Sequence, residues 1–508
     1  MVNAVGRELP ELIDGYGAVV PFAGAFATRP RLRRHGARTR ILRPGEGKRR
    51  ASLEDVFRRI PVTDGMTLSF HHHLRDGDGV VNAVLATAAA LGLRDLTLAI
   101  SSVFAVHAPL VEHIESGVVG GLDSDYIAGP VADAISRGVL VRPVILRTHG
   151  GRAGAIECGR LEIDVAFIAA PAADDYGNLN GVAGPSACGS LGYAFPDASC
   201  AEHVVAVTDH LVPYPLSPIS IPQTRVDHVV DIESLGRRAG IASGTTRMTE
   251  DPVRLEIART AATVIEAAGL IADGFSYQTG AGGTALAVTK FVRQMMEERG
   301  VVGSFALGGI TAQLVEMLEA GLFRSLLDVQ GFDLAAVASL AANSSHQEIG
   351  AGFYASPFSS GCAVDRLDCV ILGATEVDVD FNVNVVTGSH GRIMGGSGGH
   401  SDAAAGARLA IVVANPPRGE RSVVVDRVLT ATTPGETVDV VVTEDGVAVN
   451  PRRWDLAGSL SAAGVAVRDI AELRSATIAA QAPEACARVV AVVEYRDGTV
   501  IDLVRQVR

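Results

Sequence analysis

An internal repeat constrains the fold of this chain more than any other feature of its sequence. The segment that begins at Asp164, DVAFIAAPAADDYGNLNGVAG, resembles the segment that begins at Asp368, DCVILGATEVDVDFNVNVVTG. Each contains an apolar run of strand length, a polar turn, a short alternating stretch and a small-residue loop before another apolar run. An offset of 204 residues relates Asp164 to Asp368, Asn178 to Asn382, Asn180 to Asn384 and Gly184 to Gly388. The sequence therefore predicts two copies of one supersecondary design.

A second correspondence lies upstream of each copy. The stretches that open at Asp64 and at Asp273 both read as strand, glycine-containing loop, helix and strand, with amphipathic helices predicted over 80–92 and 284–299. Such βαβ units need parallel strands. A further helix is predicted over 252–269, where Pro252 suits a first turn. We therefore expect an α/β protein with two tandem, mutually similar domains built on mainly parallel sheets.

The expected domain boundaries follow from charge as well as from the repeat. We expect a basic N-terminal arm over 1–50, a first α/β domain over 51–250 and a second over 251–508. From Arg29 to Arg50 there are ten Lys/Arg and one acid, whereas the remaining residues carry a formal charge of −22. This arm is interpreted either as a solvated surface or as a docking surface for a phosphorylated ligand or an acidic partner.

The composition excludes several classes of protein. The formal charge of −13 argues against a nucleic-acid binder, and no apolar stretch reaches the 18 residues of a spanning helix. The first residues do not read as a secretory signal, so we expect a cytoplasmic protein. Six cysteines without a C-x-x-C pair predict reduced core thiols rather than disulfides, and no metal site is expected.

The glycine loop at 278–283, QTGAGG, is the sharpest candidate site. It follows a strand and opens a helix, so its backbone N–H groups could face an anion or a developing oxyanion at the carboxyl edge of a sheet. The alternative is that the glycines only allow close packing of helix and strand. The loop has neither the G-x-G-x-x-G frame of a dinucleotide site nor the pattern of a P-loop.

Two other loops are candidates for binding. His71, His72 and His73 follow the predicted strand over 66–70, where alternation places His71 and His73 on one side. We interpret one or two of them as partners of a carboxylate substrate, and a polar strand end is the alternative. The glycine-rich loop at 395–400 either is a flexible turn or contributes to binding at the mouth of the second sheet.

Many segments of the chain resemble the citrate lyase alpha subunit family. They include DGMTLSFHHHLR, HAPLVEHIESGVV, AISRGVL, THGGR, IDVAFIAAP, DDYGNLNG, ACGSLGYAFPDA, SGTTRMTEDP, FSYQTGAGGTALAVTKF, FALGGITAQLVEML, LLDVQGFD, FNVNVVTGS, GGSGGH, VAVNP and YRDGTVIDLV. The resemblance runs from about residue 50 to the C-terminus. It implies a fold of two CoA-transferase-like α/β domains, in agreement with the repeat.

The resemblance also implies a function. Such a subunit is a citrate CoA-transferase, which exchanges citrate for the acetyl group on the thioester of an acyl carrier protein, or of CoA. Its implied partners are the citrate lyase beta subunit, the acyl carrier protein (gamma) subunit and citrate, in an oligomer, with no tightly bound cofactor. The alternatives are an acyl-CoA hydrolase, another carboxylate CoA-transferase such as one acting on citramalate, or a non-catalytic thioester- or metabolite-binding module.

Related transferases use a glutamate that becomes a thioester, and this chain lacks one at the corresponding place. The strand end reads Ala306-Leu307-Gly308-Gly309-Ile310-Thr311, and Glu316 lies too far along the helix. The resemblance therefore implies direct attack of the substrate carboxylate on the acetyl thioester, through a mixed anhydride. The implied site residues are catalytic Gly280, Gly282, Gly283, Gly308 and Gly309; substrate-binding Ser69, His71, His72, Arg75, Arg247, Gln278 and Thr279; and thioester- or CoA-binding Gly395, Gly396, Gly398, Gly399 and His400.

Overall fold

The computed structural model describes residues 1–28, 32–35, 40–242, 247–415, 422–474 and 486–507, which form two α/β lobes. Each lobe is built on one large, mostly parallel sheet, so the predicted fold class is confirmed. Buried strands of Val, Ile, Leu and Ala are what a sheet covered on both faces requires. Within the described part of the chain, every helix is too short or too polar to cross a membrane.

The N-terminal sheet has ten strands, and all neighbours run parallel except the C-terminal hairpin. Their spatial order is Val500–Arg505, Val489–Glu494, Val144–Leu146, Val119–Ser124, Leu96–Ile100, Thr67–Phe70, Val165–Ala169, His203–Thr208, His228–Asp231 and Arg49–Arg50. The α-helices of this lobe are Leu53–Arg59, Val80–Ala90, Leu110–Glu115, Pro130–Ser136, His149–Glu157 and Ala194–Cys200.

The C-terminal sheet has nine strands, with one antiparallel pair, Val440–Thr443 and Gly446–Val449. Their spatial order is His346–Glu348, Phe323–Gly331, Gly303–Ile310, Ser276–Thr279, Cys369–Ala374, Leu409–Ala414, Val440–Thr443, Gly446–Val449 and Val467–Arg468. The α-helices of this lobe are Pro252–Ala267, Gly283–Arg299, Ala312–Glu319, Leu334–Ala342, Ala351–Ala355, His400–Gly406 and Trp454–Ala462.

Short elements connect the two sheets to their surroundings. The small strands are Leu12–Ile13, Gly17–Ala18, Ala172–Asp174, Leu179–Asn180, Leu211–Val212, Glu376–Asp378, Val383–Asn384 and Val424–Val425. The 3-10 helices are Arg75–Gly77, Ala105–His107, Gln223–Arg225, Arg238–Ala242, Ala363–Arg366, Gly435–Thr437, Pro451–Arg453 and Ile470–Leu473.

The predicted repeat is confirmed down to its hydrogen bonds. The Asn178 side chain donates to Asp174 over 2.7 Å, and Asn382 donates to Asp378 over 3.2 Å, at the same offset in the other lobe. In each lobe the aspartate also accepts from the backbone N–H of its asparagine. These bonds close the tight turn of a three-stranded ribbon that follows the fifth strand of each βαβ series.

The three predicted helices are confirmed within two residues at each end. They occupy Val80–Ala90, Gly283–Arg299 and Pro252–Ala267. Pro252 is the first helical residue, and the Asp251 side chain caps the helix by accepting from the N–H groups of Val253 and Arg254.

The termini depart from the expected boundaries at 50 and 250. The hairpin formed by Val489–Glu494 and Val500–Arg505 belongs to the N-terminal sheet, because Val492 pairs with Ile145. Residues 1–22 pack on this hairpin, and Arg49–Arg50 is the opposite edge strand of the same sheet. Residues 29–31 and 36–39 of the predicted basic arm lie outside the described residues. A pairing between distant segments of sequence leaves no local pattern, which is why the boundary was expected elsewhere.

Candidate functional site

The carboxyl ends of the central strands of both sheets meet in one cleft. The Gln330 side chain of the C-terminal lobe donates to the backbone carbonyl of His72 in the N-terminal lobe over 2.8 Å. Nearby, the Phe332 ring centroid lies 4.7 Å from the Arg75 guanidinium carbon. Ligands of parallel sheets bind beyond these strand ends, so the seam between the lobes is the candidate active site.

The three consecutive histidines divide between the core and the cleft. His71 and His73 stack with ring centroids 5.5 Å apart, which confirms the predicted alternation. The His71 imidazole is fully buried, with Nε2 at 3.4 Å from an Asp197 carboxylate oxygen, so it belongs to the core rather than to a substrate surface. His72 points the other way, and its ring lies 4.7 Å from that of Tyr193 and 5.7 Å from that of His149.

The charge states of these groups follow from burial. Burial, with His149 and Arg75 nearby, lowers the pKa of His72 well below its ordinary value, so this imidazole is neutral near pH 7. Burial opposes ionisation of Asp197, but the paired Arg152 guanidinium and His71 hold the pKa of this carboxyl below its ordinary value. Arg152 reaches both Asp197 oxygens over 2.7 and 2.9 Å.

Arg75 is a buried cation without an anion. Its side chain lies between the rings of Phe104 and Phe332, and among the described residues no carboxylate comes within salt-bridge distance of it. Its backbone has φ +52°, a left-handed conformation that residues other than glycine seldom adopt. Burial lowers the pKa of the guanidinium, which means that its charged form lacks compensation. An anionic group entering the cleft would supply it.

A histidine–aspartate pair faces the same space. The His149 Nδ1 atom lies 2.8 Å from a carboxylate oxygen of Asp125, which is completely buried. If Asp125 accepts this bond, Nε2 is left to face the cleft near Gly398. The His149 ring also packs on Tyr193, with centroids 4.5 Å apart. The arrangement can orient a carboxylate or move a proton.

Sequence reasoning missed His149, Asp125 and Tyr193 as site residues. The segment THGGR carries a signal, because Thr148 is a good N-cap and its hydroxyl accepts from the Gly151 N–H over 2.8 Å. This cap places His149 at the first position of a helix that begins at a strand end. Its pairing with Asp125, which follows a different strand, requires knowledge of the sheet order.

The glycine loop at 280–283 has open space beside Gly282. The Gly280 N–H donates to the Ile371 carbonyl over 2.8 Å, so the expectation that it binds an oxyanion is wrong for this group. A side chain at Gly282 would meet no atom within 4 Å, and its φ of −73° is ordinary. The first bond of the helix runs from Leu286 to the Gly282 carbonyl, which leaves the N–H groups of the first turn for a ligand.

The neighbouring strand end is also free of carboxylates. Gly308 has φ +100° at a β-bulge, and a side chain there would press on Gln278 at 3.1 Å. The Gln278 amide donates to the Tyr354 hydroxyl over 2.9 Å, while its buried carbonyl oxygen has no hydrogen-bond partner among the described residues. Glu316 lies on an exposed helix face and pairs with Arg293. Gly309 packs so closely on Phe332 that a Cβ would lie 2.2 Å from the ring.

The loop at 395–400 holds the lobes together. A Cβ on Gly396 would lie 2.1 Å from the Asp125 carbonyl oxygen, and Gly395 is similarly confined. The Gly398 N–H donates to the Asp125 carbonyl over 3.2 Å, and its own carbonyl accepts from the His149 N–H. These glycines therefore allow close approach of two backbones, which is a different role from the expected contact with a thioester.

The other predicted residues vary in their access to the cleft. His400 uses Nδ1 towards the Thr433 hydroxyl and Nε2 towards the Gly373 carbonyl, so neither ring nitrogen is spare. Gly399 caps its helix and lies against Tyr354. Ser69 is completely buried, and in the described part of the chain its hydroxyl has no hydrogen-bond partner.

Two further predicted positions lie around the glycine loop. The Thr279 hydroxyl donates to the Gly280 carbonyl over 3.3 Å. Arg247 is exposed, and its backbone carbonyl would lie 2.8 Å from a Cβ on Gly283. The structure thus brings His72 and Arg75 to one cleft, where the Phe332 ring contacts both Arg75 and the strand end at Gly309.

The chain matches the family model described as the citrate lyase alpha subunit over residues 46–507. It is 51% identical over 462 residues to the citrate lyase alpha chain of Escherichia coli K12, covering 90% of this chain and 91% of the relative. It is 47% identical over 494 residues to the citrate lyase alpha chain of Klebsiella pneumoniae, covering 96% of each.

Solved structures give the same result. A structure from Streptococcus mutans described as the alpha subunit of citrate lyase in complex with citrate has a TM-score of 0.96 and 45% identity, covering 100% of both chains. The alpha subunit of a malonate decarboxylase from Acinetobacter baumannii has a TM-score of 0.64 at 18% identity, covering 85% of this chain and 87% of that one, which is a likeness of fold alone. This chain belongs to the citrate lyase alpha subunit family.

Proposed function

We propose that the cleft binds citrate and an acetyl thioester side by side, and that citrate attacks the thioester directly without a covalent enzyme intermediate. Membership in the family makes this chain the CoA-transferase component of a citrate lyase. The proposal concerns how it transfers, and with which residues. The acetyl donor is the thioester of CoA or of a carrier protein, and the beta subunit and that carrier are the proposed partners.

Arg75 is the observation that carries the proposal. A buried guanidinium held between two aromatic rings is destabilised unless an anion reaches it. Citrate carries three carboxylates, and one of them can accept the two parallel N–H bonds that a guanidinium offers. The relative from Streptococcus mutans is described as a complex with citrate, which supports placing that acid in the corresponding cleft.

His149 is the proposed second contact of citrate. With Asp125 accepting the 2.8 Å bond from Nδ1–H, Nε2 of the neutral tautomer is an acceptor and can bind the citrate hydroxyl. His72 stays neutral and packs on Tyr193, as His149 does, so it shapes the pocket without adding charge. A neutral neighbour leaves the reacting carboxylate free to act as the nucleophile.

The open loop at 280–283 is the proposed place of the thioester. The helix Gly283–Arg299 begins beside Gly282, where the space next to the backbone is open, although Thr249 lies close to Gly283. The first-turn N–H groups of this helix are suited to a carbonyl oxygen that gains negative charge during attack. Gln278, whose side-chain carbonyl oxygen no described residue contacts by a hydrogen bond, lies at the end of the preceding strand.

The transfer needs no oxidant and no net proton. A citrate carboxylate oxygen attacks the acetyl carbonyl carbon, the carbon–sulfur bond breaks, and the electron pair leaves on sulfur as a thiolate. The product is a mixed anhydride of citrate and acetate. The thiolate then attacks the citryl carbonyl, the bond to the bridging oxygen breaks, and acetate departs with that oxygen. Positioning both substrates together contributes about 7–11 kcal/mol at best.

The test is to incubate the pure chain with citrate and acetyl-CoA and to measure citryl-CoA and acetate. We expect equal amounts of the two products and a kinetic pattern in which both substrates bind before either product leaves. Acetate without citryl-CoA would instead indicate a hydrolase, and the absence of both products would indicate a binding module. Repeating the assay with citramalate in place of citrate measures selectivity for the acid.

A further inference from the structure

A basic recess lies at the edge of the N-terminal sheet, separate from the cleft. Its volume is about 470 Å³, and its lining includes Arg40, Lys48, Arg50, Arg59, Tyr176 and His228. His228 is the first residue of its strand, and Arg50 ends the edge strand beside it. None of the recess residues is one that lines the cleft between the lobes.

The positive charges of the recess exceed its negative charges. Four fixed cations line it against two carboxylates, Glu46 and Asp227. Asp227 is already engaged by Arg40 over 2.8 Å and by the backbone N–H of Val204. The other carboxylate, Glu46, accepts from the backbone N–H of Arg43, and among the described residues it forms no salt bridge with Lys48, Arg50 or Arg59.

Lys48 is the most deeply placed of these cations. Its residue is only 6% exposed, and its ammonium donates to the Gln223 carbonyl over 2.5 Å. It also lies 5.3 Å from the centre of the Tyr176 ring. Burial lowers its pKa, which shows that the charged form is not fully compensated where it stands.

Arg50 and Arg59 add two further positive charges to the lining of the recess. Arg50 Nε donates to His228 Nδ1 over 3.1 Å, so this imidazole orients the guanidinium as an acceptor. Burial, Arg50, His203 and Arg59 lower the pKa of His228 to about 4, which keeps it neutral near pH 7. Arg59 likewise lowers the pKa of Arg50, after burial, by repulsion between like charges. Such crowding is relieved when an anion binds between the cations.

We infer that this recess binds the phosphate group of a small phosphate ester, such as a mononucleotide. The phosphate lies among Lys48, Arg50 and Arg59, and the organic part lies against the Tyr176 ring. The volume falls within the range of small-molecule sites, about 300–1,000 Å³. An acidic protein surface fits less well, because the innermost cation is buried beyond the reach of a flat partner.

The test uses AMP, adenosine and inorganic phosphate as probes for calorimetric titration of the full chain. We expect AMP and phosphate to bind. Adenosine should bind at least ~10-fold more weakly than AMP, because it lacks the phosphate that makes charge-assisted hydrogen bonds with the cations. Arg59→Gln is expected to weaken AMP about 5- to 10-fold. The matched control is Arg58→Gln, an exposed neighbour on the same helix that pairs with Glu54 and does not line the recess.

Two results would overturn the inference. One is equal affinity of AMP for the Arg58→Gln and Arg59→Gln variants, which would mean attraction to general surface charge. The other is the absence of AMP and phosphate binding, including the case in which only an acidic protein binds. Both variants should transfer citrate at the same rate as the unmodified chain, since neither arginine lies in the cleft. The result of the AMP titration is therefore independent of whether the proposed transfer occurs.

Discussion

The two lobes use equivalent places for opposite purposes. After the strand Thr67–Phe70, the N-terminal lobe continues with three histidines and Arg75, and it fills the space with rings and charge. After the strand Ser276–Thr279, the C-terminal lobe continues with glycines and leaves the space open. One repeated scaffold thus presents a cationic surface on one side and exposed backbone on the other, and we propose that these receive the acid and the thioester.

The lobes also differ in the contacts of an aspartate on a short helix, Asp197 on Ala194–Cys200 and Asp402 on His400–Gly406. Asp197 pairs with Arg152 of its own lobe, inside the core. Asp402 instead accepts from the Thr148 hydroxyl and from the Gly150 N–H, over 2.9 and 2.8 Å, and both donors belong to the other lobe. The first aspartate supports a fold, and the second joins two folds at the site.

The largest expected effect is on stability, from Asp197→Asn. Removing the carboxylate leaves the Arg152 charge buried, and such a loss typically costs about 3–5 kcal/mol of unfolding free energy. Urea unfolding of the variant measures it. Asp402→Asn should cost less, because its contact with Arg496 at 3.4 Å is longer than the two bonds of Arg152 to Asp197, and because the amide oxygen can still accept from Thr148 or Gly150. Equal losses in the two variants would contradict the difference between the aspartates.

The Asp197 contribution should depend on pH with a definite sign. Because the folded-state pKa of Asp197 lies below the unfolded value of ~3.9, its stabilisation is fully present above that value. It is lost as the pH falls through the folded-state pKa. The stability difference between the unmodified chain and Asp197→Asn should therefore stay constant from pH 7 to 5 and shrink below pH 4. A difference that grows on acidification would contradict the pairing.

The next largest effect is on citrate, from Arg75→Gln. The loss of a charged contact of about 2–3 kcal/mol should lower kcat/KM for citrate roughly 30- to 150-fold and leave the KM for the acetyl thioester nearly unchanged. Steady-state kinetics with each substrate varied in turn measures both. The exposed Arg324→Gln is the control. An equal rise of both KM values would show that Arg75 supports the fold of the cleft rather than citrate.

A smaller effect, on the KM for acetyl-CoA rather than on citrate, is expected from Gly282→Val. The site has ordinary φ and open space, so the variant should fold with nearly unchanged stability, while its side chain enters the proposed thioester position. We expect the KM for acetyl-CoA to rise about 10-fold, a loss of ~1.4 kcal/mol, with little change for citrate. Gly458→Val, also in open space but in a distant helix, is the control. Unchanged kinetics would mean that the loop is only structural.

The smallest effect is expected from His149→Gln. Glutamine can keep one hydrogen bond to citrate but loses the ring fixed by Asp125, so kcat/KM for citrate should fall about 5- to 10-fold, near 1 kcal/mol. Asp125→Asn should lower kcat/KM for citrate by a similar factor. The double variant should lower it by little more, because the two residues act as one unit. Additive losses would separate their roles.

Local patterns predicted the repeat, the helices and the sharing of one face by His71 and His73. These features depend on residues that are near in sequence or at a constant offset. Local patterns did not predict the pairing of His149 with Asp125 or the hydrogen bond from the Gly280 N–H to the Ile371 carbonyl. Nor did they predict that the C-terminal hairpin belongs to the N-terminal sheet. Each of these depends on which strands become neighbours, and strand order leaves no mark in local composition or spacing.

The central claim, direct attack of citrate on the thioester in a cleft shared by both lobes, is tested most directly by isotope transfer in a single turnover. Citrate labelled with oxygen-18 in its carboxylates is mixed with acetyl-CoA and excess enzyme, and the acetate is examined by mass spectrometry. The account predicts that the acetate carries one oxygen-18 atom, because the bridging oxygen of the anhydride comes from citrate. Unlabelled acetate, accompanied by the label on an enzyme carboxyl group, would contradict it.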